Sequence, residues 1–122
     1  MSTLTPLATI AEVDAAAAGR TVPRDFLGLV AANPASPALH SMRDDGGWNV
    51  WTLQQFADQV AKAAAGLQAA DVGAGEQVLL MMRNRPDFHW FDAAAQFLRA
   101  TPVSIYNSSS PEEVQYLSLI HI

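Results

Sequence analysis

The sequence predicts an α/β fold: a parallel strand–helix–strand unit preceded by a β-hairpin. Three observations carry that expectation. "VLLMM" at 78–82 and "TPVSIYN" at 101–107 contain short apolar runs of the kind buried on both faces of a parallel sheet. Between them, a segment opened by Pro86 is apolar on every side, which marks a buried helix. Upstream, Asp44-Asp45-Gly46-Gly47 separates two β-prone runs, a good hairpin signal.

The elements follow in order. Residues 1–23, which include "AAAAGR", read as a loosely held leader. Pro23 precedes a short helix over 25–32 with Phe26, Leu29 and Val30 as its apolar positions, and Asn33-Pro34 stops it. Strands over 38–43 and 48–51 form the hairpin. Thr52 and Gln55 have the spacing of a capping box, in which the hydroxyl accepts from an early N–H and the Gln reaches back. The helix that follows, 53–69, places Leu53, Phe56, Val60, Ala64 and Leu67 on one face. "GAGEQ" is a turn into a strand over 77–82. The helix over 86–98 has Phe88, Phe91, Ala95 and Leu98 on one side and Trp90, Ala94 and Phe97 on the other. Such a helix implies a further layer of protein outside it, which a 122-residue chain scarcely provides. Pro102 starts a strand over 102–106, where its missing N–H matters least. The two strands and their helix form a right-handed crossover. Ser110-Pro111-Glu112-Glu113 is a second capping box and opens a helix from 111. Val60, Leu67, Val78, Leu80, Phe91, Leu98, Val103 and Ile105 are the expected best-buried side chains.

Composition narrows the function classes. The 122 residues suit one ordinary domain. Seven basic residues face twelve acidic ones, for a formal net charge of −5. That argues against nucleic acid, whose phosphates call for clustered Lys and Arg. It leaves room for an anionic small molecule at a local site. With no cysteine there is no disulfide framework and no thiolate metal site, which fits a reducing cytoplasm. Glu12 and Asp14, with no basic start, speak against a secretory signal. No apolar run has the length of a membrane span.

Few residues suggest chemistry. Arg83 and Arg85 flank the start of the Pro86 helix, where an anion could bind, but "RNRP" lacks the glycines that let backbone approach a phosphate. A solvated, structural role outweighs ligand binding there. Gly73-Ala74-Gly75 precedes its strand, the wrong order for a dinucleotide fingerprint. His40, His89 and His121 have no partner at metal-ligand spacing. "YNSSS" at 106–110 is explained by a loop and an N-cap, although a ligand could sit near a strand's C-terminal end. No catalytic, cofactor-binding or metal residue is assigned.

The order of these elements does suggest a family. The stretch "WNVWTLQQFADQVAKAAAGLQAADVGAGEQVLLMMRNRPDFHWFDAAAQFLRATPVSIYNSSSPEEVQYL" resembles the N-terminal part of the AMP-forming acyl-CoA synthetases, within the adenylate-forming ligases. The resemblance covers about 24–116 and is strongest to the long-chain fatty acid–CoA ligases. It implies a partial N-terminal subdomain, truncated, of a cytoplasmic enzyme that is at most membrane-peripheral. That parent enzyme would join a fatty acid to AMP from ATP, with Mg, and pass the acyl group to coenzyme A. Other members, the aryl-acid CoA ligases and peptide-synthetase adenylation domains, are the alternative, as is a stand-alone non-catalytic α/β binding module. The family's phosphate loop, adenine-binding motifs and C-terminal lysine have no counterpart here, so the fragment alone is expected to be inactive. Two positions depart from the pattern. Asp71 and Arg99 stand where the family usually carries glycine or another small residue, and a bulky Arg99 is expected to hinder close helix–strand approach.

The chain closes on Leu117-Ser118-Leu119-Ile120-His121-Ile122. These residues translate CTG TCT CTT ATA CAC ATC, which matches a transposon end used to prepare sequencing libraries. The expectation is that 117–122 are adapter read-through and that the coding sequence is truncated.

Overall fold

The computed structural model of the protein describes residues 9–120. Residues 1–8 of the expected leader, and His121 and Ile122 of the expected read-through, lie outside that range. The rest of the leader holds a helix that the sequence reading passed over, α1 (Ile10–Ala17). Its cause is local. Thr9 Oγ1 accepts from the Glu12 N–H at 3.2 Å, and Glu12 Oε2 accepts from the Thr9 N–H at 2.8 Å. None of its residues is buried.

Helix α2 (Val22–Ala32) begins earlier than the expected residue 25, because Thr21 is its cap: Thr21 Oγ1 accepts from the Arg24 N–H at 3.3 Å. Pro23 then falls in the first turn, where a missing N–H costs nothing. Strands β1 (Pro37–Met42) and β2 (Trp48–Thr52) pair antiparallel, with Met42 opposite Trp48 and His40 opposite Val50. Strand β1 ends a residue earlier than expected because Arg43 belongs to the turn, and both strands gain a residue where Pro37 pairs with Thr52. Its N–H donates to the Gly47 carbonyl at 2.7 Å, and the Gly46 N–H donates back to the Arg43 carbonyl at 3.0 Å. Gly46 has φ +82°, a backbone that side chains resist, and a Cβ on Gly47 would run into the Arg43 guanidinium.

Helix α3 (Leu53–Ala69) starts with the anticipated capping box: Thr52 Oγ1 accepts from the Gln55 N–H at 3.1 Å and Gln55 Oε1 from the Thr52 N–H at 2.9 Å. Strand β3 (Gln77–Leu80), helix α4 (Pro86–Phe97) and strand β4 (Thr101–Ser104) form the expected unit. The strands pair parallel, Gln77 with Thr101 through Leu80 with Ser104. Both are shorter at their C-terminal ends than expected. A further rung, Ile105 N–H to Leu80 O at 3.1 Å, follows the paired residues before the chains part. Helix α5 (Pro111–Ile120) opens on the Ser110–Glu113 box and has no buried residue.

Helices α3 and α4 end in the same way. After α3, the Asp71 N–H donates to Gln68 O and the Val72 N–H to Leu67 O, both at 3.0 Å. After α4, the Arg99 N–H donates to Gln96 O at 3.0 Å and the Ala100 N–H to Ala95 O at 2.9 Å. These are Schellman closures, which require a left-handed residue after the cap. Asp71 (φ +64°) and Arg99 (φ +61°) supply it without being glycine. The expected hindrance at Arg99 does not materialise. The Gly75 N–H donates to its carbonyl at 3.1 Å, and the Thr101 N–H donates to Glu76 O at 2.8 Å, so helix end and strand meet closely. Exposure of the Arg99 side chain explains why: its bulk points away from the contact.

The core lies between α3 and α4, where Val60, Ala63, Trp90 and Ala94 are buried together. Phe26 from α2, Leu39 and Trp51 from the hairpin, and Phe56 and Phe97 pack around them. On its other side α4 covers β3 and β4. The chain itself thus covers α4 on two sides, with α3 and with the β3–β4 pair, contrary to the expectation that it scarcely could. The expected burial list needs correction: of its members only Val60 and Leu80 are buried, whereas Leu67, Val78, Phe91, Leu98, Val103 and Ile105 are half-buried. Helix α4 shields the parallel pair from one side, and that protects only part of each strand. Met42, Trp48 and Val50 form an exposed apolar strip on the outer face of the hairpin.

Candidate functional site

In an open parallel sheet, ligands gather beyond the carboxyl ends of the strands. Here those ends lead into residues 81–85 and 105–110. Beside the first lies a cleft of about 750 Å³ between the hairpin and the start of α4. His40, Ser41 and Asp44 line it from the hairpin; Asn84, Arg85 and His89 line it from the helix side. Each arrives for a local reason. His40 stands on the outward register of β1, in edge contact with Trp48 at 6.4 Å between ring centroids. Arg85 is the residue before the helix-opening Pro86, held extended at φ −133° by that proline. His89 is on the exposed side of the first turn.

The electrostatics are mild. Arg85 Nη2 pairs with Asp87 Oδ2 at 3.4 Å, on the surface, where such a pair contributes little. Asp45, in the hairpin turn, is held below the usual carboxylate range by the Gly47 N–H at 2.8 Å and by the Arg43 guanidinium at 3.1 Å. No buried polar or charged side chain occurs among the described residues. None of the described His, Asp and Glu side chains gather in a group of three that could hold a metal.

The sequence candidates fare differently. Arg83 is exposed and outside the cleft lining; Arg85 is in it. Gly73–Gly75 is a turn before β3, closed by Glu76 N–H to Gly73 O at 3.1 Å. In 106–110, Ser109 N–H donates to Tyr106 O and Ser110 caps α5, as a loop and N-cap should. His40 and His89 share the cleft, which the sequence reading missed. The signal was absent from their spacing, because the hairpin and α4 meet only through tertiary packing.

These residues do not fit an ATP–magnesium group. The segments after β3 and β4 contain no glycine, so neither lets backbone N–H groups close around phosphates. Carboxylates are also too scattered to hold the metal.

The hairpin, the capped helix and the parallel strand–helix–strand unit all fall within the stretch matched by one family. The chain belongs to the AMP-binding enzyme family, whose model matches residues 29–118. Rv1549 of Mycobacterium tuberculosis, an uncharacterized protein, is 38% identical over 81 residues, which are 66% of this chain and 46% of that one. The long-chain-fatty-acid–CoA ligase FadD15 of Mycobacterium bovis is 34% identical over 73 residues, 60% of this chain and 12% of the ligase. The matched stretch therefore spans less than half the length of these curated relatives. Among solved structures, the N-terminal subdomain of NpsA from Klebsiella oxytoca, in complex with anthranilyl-AMSN, superposes with a TM-score of 0.72 at 22% identity. That match covers 80% of this chain and 24% of the other. The N-terminal domain of FACL13 from Mycobacterium tuberculosis gives 0.71 at 20% identity, with the same coverage. Both likenesses concern the fold.

Proposed function

We propose that this chain is the N-terminal portion of a long-chain fatty acid–CoA ligase. The parent enzyme forms an acyl-adenylate from ATP and a fatty acid, then a thioester with coenzyme A. The supporting observation is the family match over 29–118 together with the similarity to FadD15, a long-chain ligase by name. Within such an enzyme the role of this portion is structural. Helix α4 covers β3 and β4, which run parallel with their carboxyl ends turned to the same side. A cytoplasmic location, where ATP and coenzyme A are at hand, belongs to the same reading.

ATP–pyrophosphate exchange with a long-chain fatty acid tests this. It is run on the 122-residue chain and on the product of the genomic locus read past the Tyr116 codon. Exchange by the longer product and none by the chain is the expected result. Exchange only with an aryl or amino acid would move the parent to another ligase group.

One observation favours a second reading. The 81 residues matched in Rv1549 are 46% of it, so that relative is itself a short protein. A short, non-catalytic α/β module of this family is then a real option. A stop codon soon after Tyr116 in the genomic DNA, with no exchange activity, would favour it.

A further inference from the structure

A second cleft, of about 760 Å³, lies between the start of α2 and the end of α4, at the opposite end of α4 from the hairpin cleft. We propose that it is a binding site for a phosphate group, held by the guanidinium groups of Arg20, Arg24 and Arg99. This chain has seven basic residues against twelve acidic ones, yet three of the seven line this one cleft, and no carboxylate lines it with them. Like charges gathered in a concavity repel and raise the local potential for an anion. Asp25 answers only part of that charge. It engages Arg20 through Nε and Nη2, at 3.1 and 2.7 Å, and Nη1 takes no part in that pair. Arg24 and Arg99 have no ion pair among the described residues.

The placement of Arg99 adds to this. It occupies a left-handed backbone position that suits glycine, so this side chain is kept at a conformational cost. Arginine is also the side chain best matched to phosphate, through its planar fork of donors. Pro23, Phe97 and Ala100 give the cleft an apolar floor, which suits a ligand with an uncharged body behind its phosphate. That description covers a soluble phosphorylated metabolite and a phospholipid headgroup alike.

The test is arginine modification by phenylglyoxal on the full 122-residue chain, read residue by residue by mass spectrometry. Inorganic pyrophosphate is the soluble probe and phosphatidylglycerol vesicles are the lipid probe. The exposed Arg83 is the internal control. At least one probe should protect Arg24 and Arg99 together, by roughly fivefold or more, with Arg83 unprotected. Protection by pyrophosphate assigns the phosphate to a soluble ligand, and protection by vesicles alone assigns it to a headgroup. Protection by neither probe, or equal protection of Arg83, overturns the proposal. Arg99→Gly should abolish protection of Arg24 while the helix content is retained. Arg24→Gln, read at Arg99, repeats the experiment from the other side. Undiminished protection in either variant would show that the two arginines do not share a site.

Discussion

The α3–α4 seam and the β3–β4 pair are both assembled from apolar residues, but they differ in how fully water is excluded. In the seam, Val60, Ala63, Trp90 and Ala94 are buried, and Ala94 has no exposed surface. In the pair, Val78, Leu79 and Val103 are half-buried, and only Leu80 is closed off. The seam is enclosed because α2 and the hairpin close around it. The pair is covered by one helix. Apolar character therefore reports which residues favour burial, and the number of packed neighbours decides which obtain it.

Trp90→Ala tests that difference most severely. It removes the largest side chain of the seam and should cost about 3–5 kcal/mol, enough to abolish the cooperative urea transition followed by circular dichroism. Val103→Ala in the pair should cost only about 1 kcal/mol. Equal losses at the two positions would break the comparison. Thr52→Ala removes the hydroxyl that caps the N-terminus of α3, and a loss of about 1 kcal/mol is expected in the same denaturation experiment.

The pair should respond instead to relief of its backbone. Asp71 precedes β3 and Arg99 precedes β4, each left-handed at the end of a helix. Arg99→Gly should raise the unfolding free energy by up to about 1 kcal/mol, read as a higher denaturation midpoint, because glycine removes the steric cost although it loosens the unfolded chain. Asp71→Gly should gain less, since Asp tolerates this conformation better than Arg. A loss of stability in both variants would mean that side-chain contacts there outweigh the strain.

The smallest effect belongs to the hairpin turn, outside both regions. Asp45 has a depressed pKa in the folded protein, from the Gly47 N–H first and Arg43 second. Its contribution is present above the unfolded-state pKa and fades as pH falls through the lower, folded-state value. The Gly47 amide resonance should shift over that acidic window, while amides of the seam stay put. A shift at neutral pH instead would contradict the assignment.

Much of this fold was legible because its causes are local. Thr52–Gln55 and Ser110–Glu113 announced two helices through side-chain spacing alone. The same spacing in Thr9–Glu12 announced α1 equally well, but its alanine-rich sequence offers no packing face. Pro86 and the two apolar runs gave the parallel unit. Depth of burial was less legible, as Val78 and Val103 show, because it depends on what other elements cover. The clefts were the least legible. His40 and His89, or Arg20, Arg24 and Arg99, come together only when distant elements pack, and no spacing along the chain records that.

The three tryptophans divide between the two environments. Trp51 and Trp90 lie with ring centroids 5.2 Å apart, inclined at 70°, one on the hairpin and the other on α4. Trp48 is exposed on the outer hairpin strip. Indoles that close couple their electronic transitions, so the docked pair carries a paired circular-dichroism band that vanishes once the hairpin and α4 separate. Trp48 contributes an emission open to dissolved quenchers such as iodide. The molecule thus carries its own two-channel optical gauge, one reading the docking of the hairpin on α4 and the other reading access to the strip beside it.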